Sequence, residues 1–274
     1  MTAETTGKYS TITRQCFINA PFDRLEADLL DTFLQYELQP EIGLEGECLW
    51  TREREAFLAI ANKFTDKGLA CTLHAPFFDL APGGIDSRIR EDTREKLRRA
   101  FSLIEVFKPK SIVCHLGFDD YKHSYKIEDW LQISVETWSE LLEIADKTGT
   151  PVMFENTYEQ QPDTHLRLFE QLPGANFGFC LDVGHLMAYA GSTWQVWLDK
   201  LQPWLGQIHL HDNDGLRDEH LAIGRGRFDF PELFNHLYRN NLSPLITLEP
   251  HSEHDLWQSL EAIHSLNLFT RKSS

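Results

Sequence analysis

The chain has 274 residues, 42% hydrophobic and 25% charged, an ordinary globular composition that excludes a disordered or fibrous protein. Its 26 Lys and Arg face 42 Asp and Glu, a net charge of −16, which disfavours nucleic acid as a partner because such binders present basic surfaces. No window approaches the roughly 18 uninterrupted apolar residues of a membrane span, and the polar segment 1–10 lacks the apolar core of a secretory signal, so a cytoplasmic protein with a flexible N-terminus over about 1–10 is expected.

In chain order, short β-branched or apolar runs alternate with longer stretches of helical periodicity. The runs are Thr13–Asn19, Pro40–Glu45, Ala70–His74, Ser111–His115, Pro151–Glu155, Asn176–Asp182, Gln207–His211 and Leu245–Glu249. They recur about every 33 residues, the length of a strand, a helix and two loops. Between them, Asp86 is a suitable N-cap for a helix over Ile89–Phe107. Leu131, Val135, Trp138, Leu142 and Ala145 share one helical face, which Gly149 and Pro151 bring to an end. Trp194, Trp197 and Trp204 read as core, and His123, His165, His236, His254 and His264 as surface residues. The five cysteines are scattered singly, four of them in apolar runs, which suits a reducing compartment. Eight strand–helix units without a Gly-rich turn after the first strand predict a single (β/α)8 TIM barrel spanning 1–274, rather than an open dinucleotide-binding sheet.

In such barrels the active site lies at the C-terminal ends of the strands. Strand three ends at His74, strand four at His115, strand five at Glu155. Strand six ends in Leu181-Asp182-Val183-Gly184-His185, strand seven in Ile208-His209-Leu210-His211-Asp212, and strand eight at Glu249; Asp218 and His220 follow in the loop after strand seven. Six consecutive strands thus carry His, Asp or Glu to one rim. These are ligand types for a borderline divalent ion such as zinc or manganese.

These residues resemble the xylose isomerase-like barrel superfamily, which includes sugar-phosphate isomerases and epimerases and the endonuclease IV group. The resemblance is clearest from Ala70 to Glu249 and most specific in Ile208–Gly215, Asp218–Leu221 and Gly224-Arg225-Gly226. It implies that Glu155, Asp182, His209 and Glu249 form the four-ligand metal site of the isomerase members. His74, His115, His185, Asp218 and His220 would fill the remaining positions of the nine-ligand, three-metal site of the endonuclease IV group. His209 stands three before Asp212, as in the family pattern; His211 shares its strand face and stays open as the alternative. The second loop, Glu45-Gly46-Glu47-Cys48, is acidic, and the third, Phe77-Phe78-Asp79, is bulky and offers no positive charge. The loop from His209 to Asp218 is shorter than its endonuclease counterpart. These departures count against DNA cleavage and leave the metals untouched.

The function expected first is therefore a divalent-metal-dependent isomerase or epimerase of a small sugar, sugar phosphate or ketose. Glu155 and Glu249 would remove and return the proton around an enediolate. His185, His211, Arg225 and His251 are candidate substrate contacts, with Arg227 a second cation for a phosphate. The alternatives are a multi-zinc phosphoester hydrolase and a barrel that binds metal or ligand without turnover.

Overall fold

The computed structural model describes residues 3–270. Eight parallel strands close into one barrel in sequence order: β1 Phe17–Pro21, β2 Gln39–Gly43, β3 Thr72–His74, β4 Ile112–His115, β5 Val152–Glu155, β6 Phe177–Asp182, β7 Leu205–Leu210 and β8 Leu245–Leu248. All eight expected strands form, in the expected order. β1 begins at Phe17 rather than Thr13, because Ala3–Thr13 is a helix. The segment expected to be flexible is thus helical from Ala3, and residues 1–2 lie outside the described residues. The physical reason is burial: Tyr9 and Ile12 join the core, and Tyr9 packs against Trp257 of the helix Glu253–Leu266.

Other local signals act as expected. The Asp86 carboxylate accepts the backbone N–H groups of Arg88 and Ile89. The helix it caps, Ser87–Ser102, breaks at Leu103 and resumes as Ile104–Phe107, so the expected continuous Ile89–Phe107 helix is two pieces. Gly149 takes φ +68°, the left-handed conformation that ends the helix Ile127–Asp146 and turns the chain into β5. Leu131, Trp138, Leu142 and Ala145 are buried, with Val135 packed at the edge of the core. Trp194 and Trp197 are core residues and Trp204 is half-buried. One expectation fails: His165 is fully buried among Phe169, Phe179 and Trp197 and bonds the Glu155 carbonyl at 3.2 Å. Burial without a charged partner lowers its pKa to about 3, so it is a neutral packing group under β5.

The barrel interior beneath the rim is polar. Glu41 of β2 has no exposed surface, and its Oε2 accepts from Thr72 Oγ1 at 2.8 Å, Gln207 Nε2 at 2.6 Å and Thr247 Oγ1 at 3.0 Å. Ser111 Oγ donates to Gln207 Oε1 at 2.6 Å. A buried carboxylate needs this many donors to offset its lost hydration. The layer draws on β2, β3, β7, β8 and the residue before β4, and forms a floor on which the rim residues stand. Among the described residues no helix is long and apolar enough to cross a membrane.

Candidate metal centre

Parallel strands end in register here. His115 of β4 pairs with Glu155 of β5 through neighbouring backbone positions, and Asp182 of β6 lies beside His209 of β7. The side chains therefore converge on the barrel mouth. His74, Glu155, Asp182, His209, His211 and Glu249 are buried; His115, His185, Asp218 and His220 keep 12–18% of their side-chain surface exposed, enough to face an entering molecule.

Three adjoining groups of donors result. In the first, His74 Nε2 and His115 Nε2 stand 3.1 and 3.2 Å from Glu155 Oε2. His74 donates its Nδ1–H to the Ala75 carbonyl at 2.9 Å, which aims its other nitrogen inward. Phe77 stacks on His115 with ring centroids 4.5 Å apart. In the second group, His209 Nδ1 faces Glu249 Oε1 at 3.0 Å, Glu155 Oε1 at 3.5 Å and Asp182 Oδ2 at 3.8 Å. Glu155 thus turns one oxygen to each group. In the third, Asp218 Oδ2 lies 3.3 Å from both His185 Nε2 and His220 Nε2. His220 donates Nδ1–H to the Glu249 carbonyl at 3.1 Å and holds a left-handed φ of +50°, a strained backbone conformation of the kind found at functional sites.

Donors bound at about 2.0–2.2 Å to one tetrahedral ion stand about 3.3–3.6 Å apart. The observed 3.0–3.8 Å separations bracket that spacing. His209 Nδ1, His211 Nδ1 and Asp218 Oδ1 are buried without any hydrogen-bond partner, which costs free energy unless another ligand meets them. Imidazole and carboxylate donors, polar atoms left orphaned and ion-sized spacing together fit divalent metal. The nine ligand positions expected from the sequence all come together in these groups. His211 and His251 join them: His211 stacks on His220 at 3.8 Å and His251 on its other face at 4.2 Å. Arg225 does not; its Nε bonds Gln258, and nothing among the described residues ties it to the cluster. Among the described residues the Arg227 side chain reaches only the Asp214 carbonyl.

Both strand-seven histidines reach the carboxylates: His209 Nδ1 faces Glu249, Glu155 and Asp182, while His211 Nε2 lies 3.1 Å from Asp182 and 3.8 Å from Glu249 and its Nδ1 lies 3.7 Å from Asp218. Glu41 escaped sequence reasoning altogether. Its Oε1 meets His209 Nε2 at 3.1 Å, leaving His209 Nδ1 to face the other carboxylates. The available signal was a lone acid inside a strand that a parallel barrel buries on both faces.

Asp212 has a structural role. Its carboxylate accepts the backbone N–H groups of Asn213, Gly224, Gly226, Arg227 and Phe228 at 2.9–3.1 Å. A Cβ on Gly226 would lie 2.1 Å from the Asn213 carbonyl oxygen, so only glycine fits there. The Gly224-Arg225-Gly226 segment therefore closes a loop rather than cradling a phosphate, and that loop presents Asp218 and His220. Asp212→Ala is expected to cost about 3 kcal/mol or more, from four backbone donors left unsatisfied while Arg227 N–H keeps the Asn213 carbonyl, and to lower metal content by the third group alone. Chemical denaturation and elemental analysis check both.

Charge reinforces the picture. Burial opposes protonation of His74, yet the hydrogen bond and charge of Glu155 raise it to about 9. His220 also rises to about 9 against its burial, through Asp218 and Glu249. His185 is raised well above the usual histidine range by Asp182, Asp218 and Glu155, and His209 by Cys180 and then Glu41, Glu249 and Glu155, in each case against burial. His115 moves down, because burial outweighs Glu155 there. Glu155, Asp218 and Glu249 are held below the usual carboxylate range, their burial outweighed by the imidazoles. At the mouth, burial raises Glu45, which also interacts with His74 and Glu249. A surface groove of about 550 Å³ at the opposite rim, between Lys108 and Thr150, shares no residue with the cluster.

Residues 42–271 match the family described as the xylose isomerase-like TIM barrel. The chain belongs to that family. It is 30% identical over 200 residues to the uncharacterized protein MJ1311 of Methanocaldococcus jannaschii, covering 70% of this chain and 68% of that protein. It is 29% identical over 172 residues to the "Probable endonuclease 4" of Mycobacterium leprae, covering 57% and 64%. Among solved structures, the TTHB071 protein of Thermus thermophilus, soaked with zinc chloride, superposes with a TM-score of 0.80 at 23% identity, over 94% of this chain and all of that one. A D-tagatose 3-epimerase-like protein superposes with a TM-score of 0.78 at 23% identity, over 92% and 97%. At that identity the structural likenesses speak for the barrel alone, and one barrel hosts many chemistries.

Proposed function

We propose that this chain is a metal-dependent phosphoester hydrolase that holds up to three divalent ions, zinc suiting its donors best. The observation that carries the reading is the pair His74 and His115, one buried and the other largely so, both facing Glu155, one of the four ligands that an isomerase would use. A one-ion isomerase has no use for two more imidazoles aimed at the far oxygen of its own ligand. The order expected from the sequence, isomerase first, is reversed on that ground.

Bound ions would supply Lewis-acid polarisation of the phosphoryl oxygens and neutralise charge in the transition state. Glu155 spans the first two groups and sets their separation. The Ala75 and Glu249 carbonyls fix the ring orientations of His74 and His220. Phe77 and the 65%-exposed Phe78 offer a stacking face at the entrance, while Glu45 repels a polyanion. The substrate class this favours is a small phosphoester with a planar or apolar group, rather than duplex DNA.

The test is turnover of bis(p-nitrophenyl) phosphate by the zinc-loaded protein. His74→Ala and His115→Ala are each expected to lower kcat/KM about 100-fold or more, as loss of a group that stabilises transition-state charge does. Wild-type rates in both variants would overturn the reading. The second reading, a ketose isomerase or epimerase, is supported by Glu155 and Glu249, which flank His209 from separate strands. It requires C–H exchange of a ketose in deuterated water that survives His74→Ala.

A further inference from the structure

We propose that His211 is a positioning residue for Asp182: it binds no ion itself, and it aims the Asp182 carboxylate at the ion of the second group. The inference rests on the reading of these residues as a metal centre.

Ring geometry keeps His211 out of the third group. Imidazole lone pairs lie in the ring plane. The His211 and His220 rings lie parallel, with centroids 3.8 Å apart at an interplanar angle of 2°, so an ion in the plane of one lies outside the plane of the other. His211 Nδ1 is 3.7 Å from Asp218 Oδ1 and makes no hydrogen bond. The second group is complete without His211, because His209 Nδ1 already faces Glu249, Glu155 and Asp182, and four donors close a tetrahedral shell.

The bond that His211 does make goes to Asp182. Its Nε2–H donates to both carboxylate oxygens, Oδ1 at 3.1 Å and Oδ2 at 3.2 Å. The backbone N–H of His185 donates to the same Oδ1 at 2.6 Å. Asp182 has no exposed surface, so these two donors set the plane of its carboxylate and hold Oδ2 toward His209. A donor of this kind behind a metal-binding carboxylate fixes its direction and is worth a large share of the affinity. The ring is itself locked. It is 2% exposed, one face lies on His220, and a Cβ on Gly184 would lie 1.9 Å from its Cε1. Glycine at 184, in the Asp182-Val183-Gly184-His185 turn, is what makes room for it.

The test uses the zinc-loaded full chain with 15N-labelled histidine. The unmodified chain is expected to show a proton on His211 Nε2 and a zinc-shifted Nδ1 on His209. That shift then reports zinc at the second group during graded chelator competition. His211→Phe keeps a ring beside His220 and removes the donor; it is expected to weaken zinc at His209 about 10- to 100-fold. His211→Gln, whose amide N–H reaches the place of Nε2, is expected to restore most of that loss, which packing alone would not do. A zinc-shifted Nε2 on His211 would make the residue a ligand. Undiminished zinc in His211→Phe, or equal loss in both variants, would make it a packing group. Each of these overturns the proposal and leaves the multi-metal reading standing. If His211→Phe fails to fold, the proton on Nε2 and the glutamine variant decide. If the unmodified chain binds no zinc at His209, both fall.

Discussion

Glu155→Gln is expected to lower hydrolysis by a factor of about 1,000 or more and to empty two ion positions together. Losing a single group that stabilises transition-state charge costs about 100- to 1,000-fold. Glu155 serves two groups: Oε2 meets His74 and His115 at 3.1 and 3.2 Å, and Oε1 meets His185 at 3.0 Å and His209 at 3.5 Å. Glutamine keeps the shape, removes the charge, and can offer an oxygen to one side only. In the ion-free chain the same change leaves buried imidazoles without their counter-charge, which costs about 3–5 kcal/mol when one partner of a buried pair is removed. Elemental analysis, turnover and thermal unfolding with and without chelator check the three parts. Unchanged ion content in Glu155→Gln would show that Glu155 bridges nothing.

The second large effect is on pH. In the ion-free chain His74 and His220 titrate near 9, and His185 and His209 well above the usual histidine range, so all four carry protons at pH 7. A metal ligand must be deprotonated, so binding expels these protons. Zinc affinity should therefore rise with pH, by about tenfold per unit for each proton displaced, until about pH 9. The sign for stability is opposite in the ion-free chain. Histidines whose pKa is raised contribute stability that is fully present below about 6.5 and is lost as pH rises through about 9. Chelated protein is thus expected to melt lower at pH 9 than at pH 7, while zinc-loaded protein holds its melting temperature. Calorimetric zinc titrations in buffers of different ionisation enthalpy would report the released protons. A net proton release of zero at pH 7 would contradict the charge state assigned to the four histidines.

Much of this site was legible because barrel geometry makes position along the chain stand for position in space. A residue that ends a strand reaches the rim whatever its helices do, so His74, His115, Glu155, Asp182 and Glu249 could be placed from strand boundaries alone. Glu41 could not, because it lies within β2, where alternation says only that one face points inward. His165 misled for the converse reason. It sits at helical spacing with a polar side chain, and only the packing of Phe169, Phe179 and Trp197 around it shows burial.

The sequence by itself determined the barrel, the rim and the kinds of donor, because strand periodicity, strand length and residue chemistry are local properties. The tertiary structure decided which donors lie together. His209 and His211 are two residues apart on one strand face, yet the first meets Glu249 and Glu155 through Nδ1 while the second lies between Asp182 and Asp218 of the loop that Asp212 ties down. The grouping also depends on a missing side chain: without a Cβ at Gly184, His211 fits against the Asp182 turn. Distances between atoms far apart in the chain set how the donors group, and only closure of all eight strands fixes those distances.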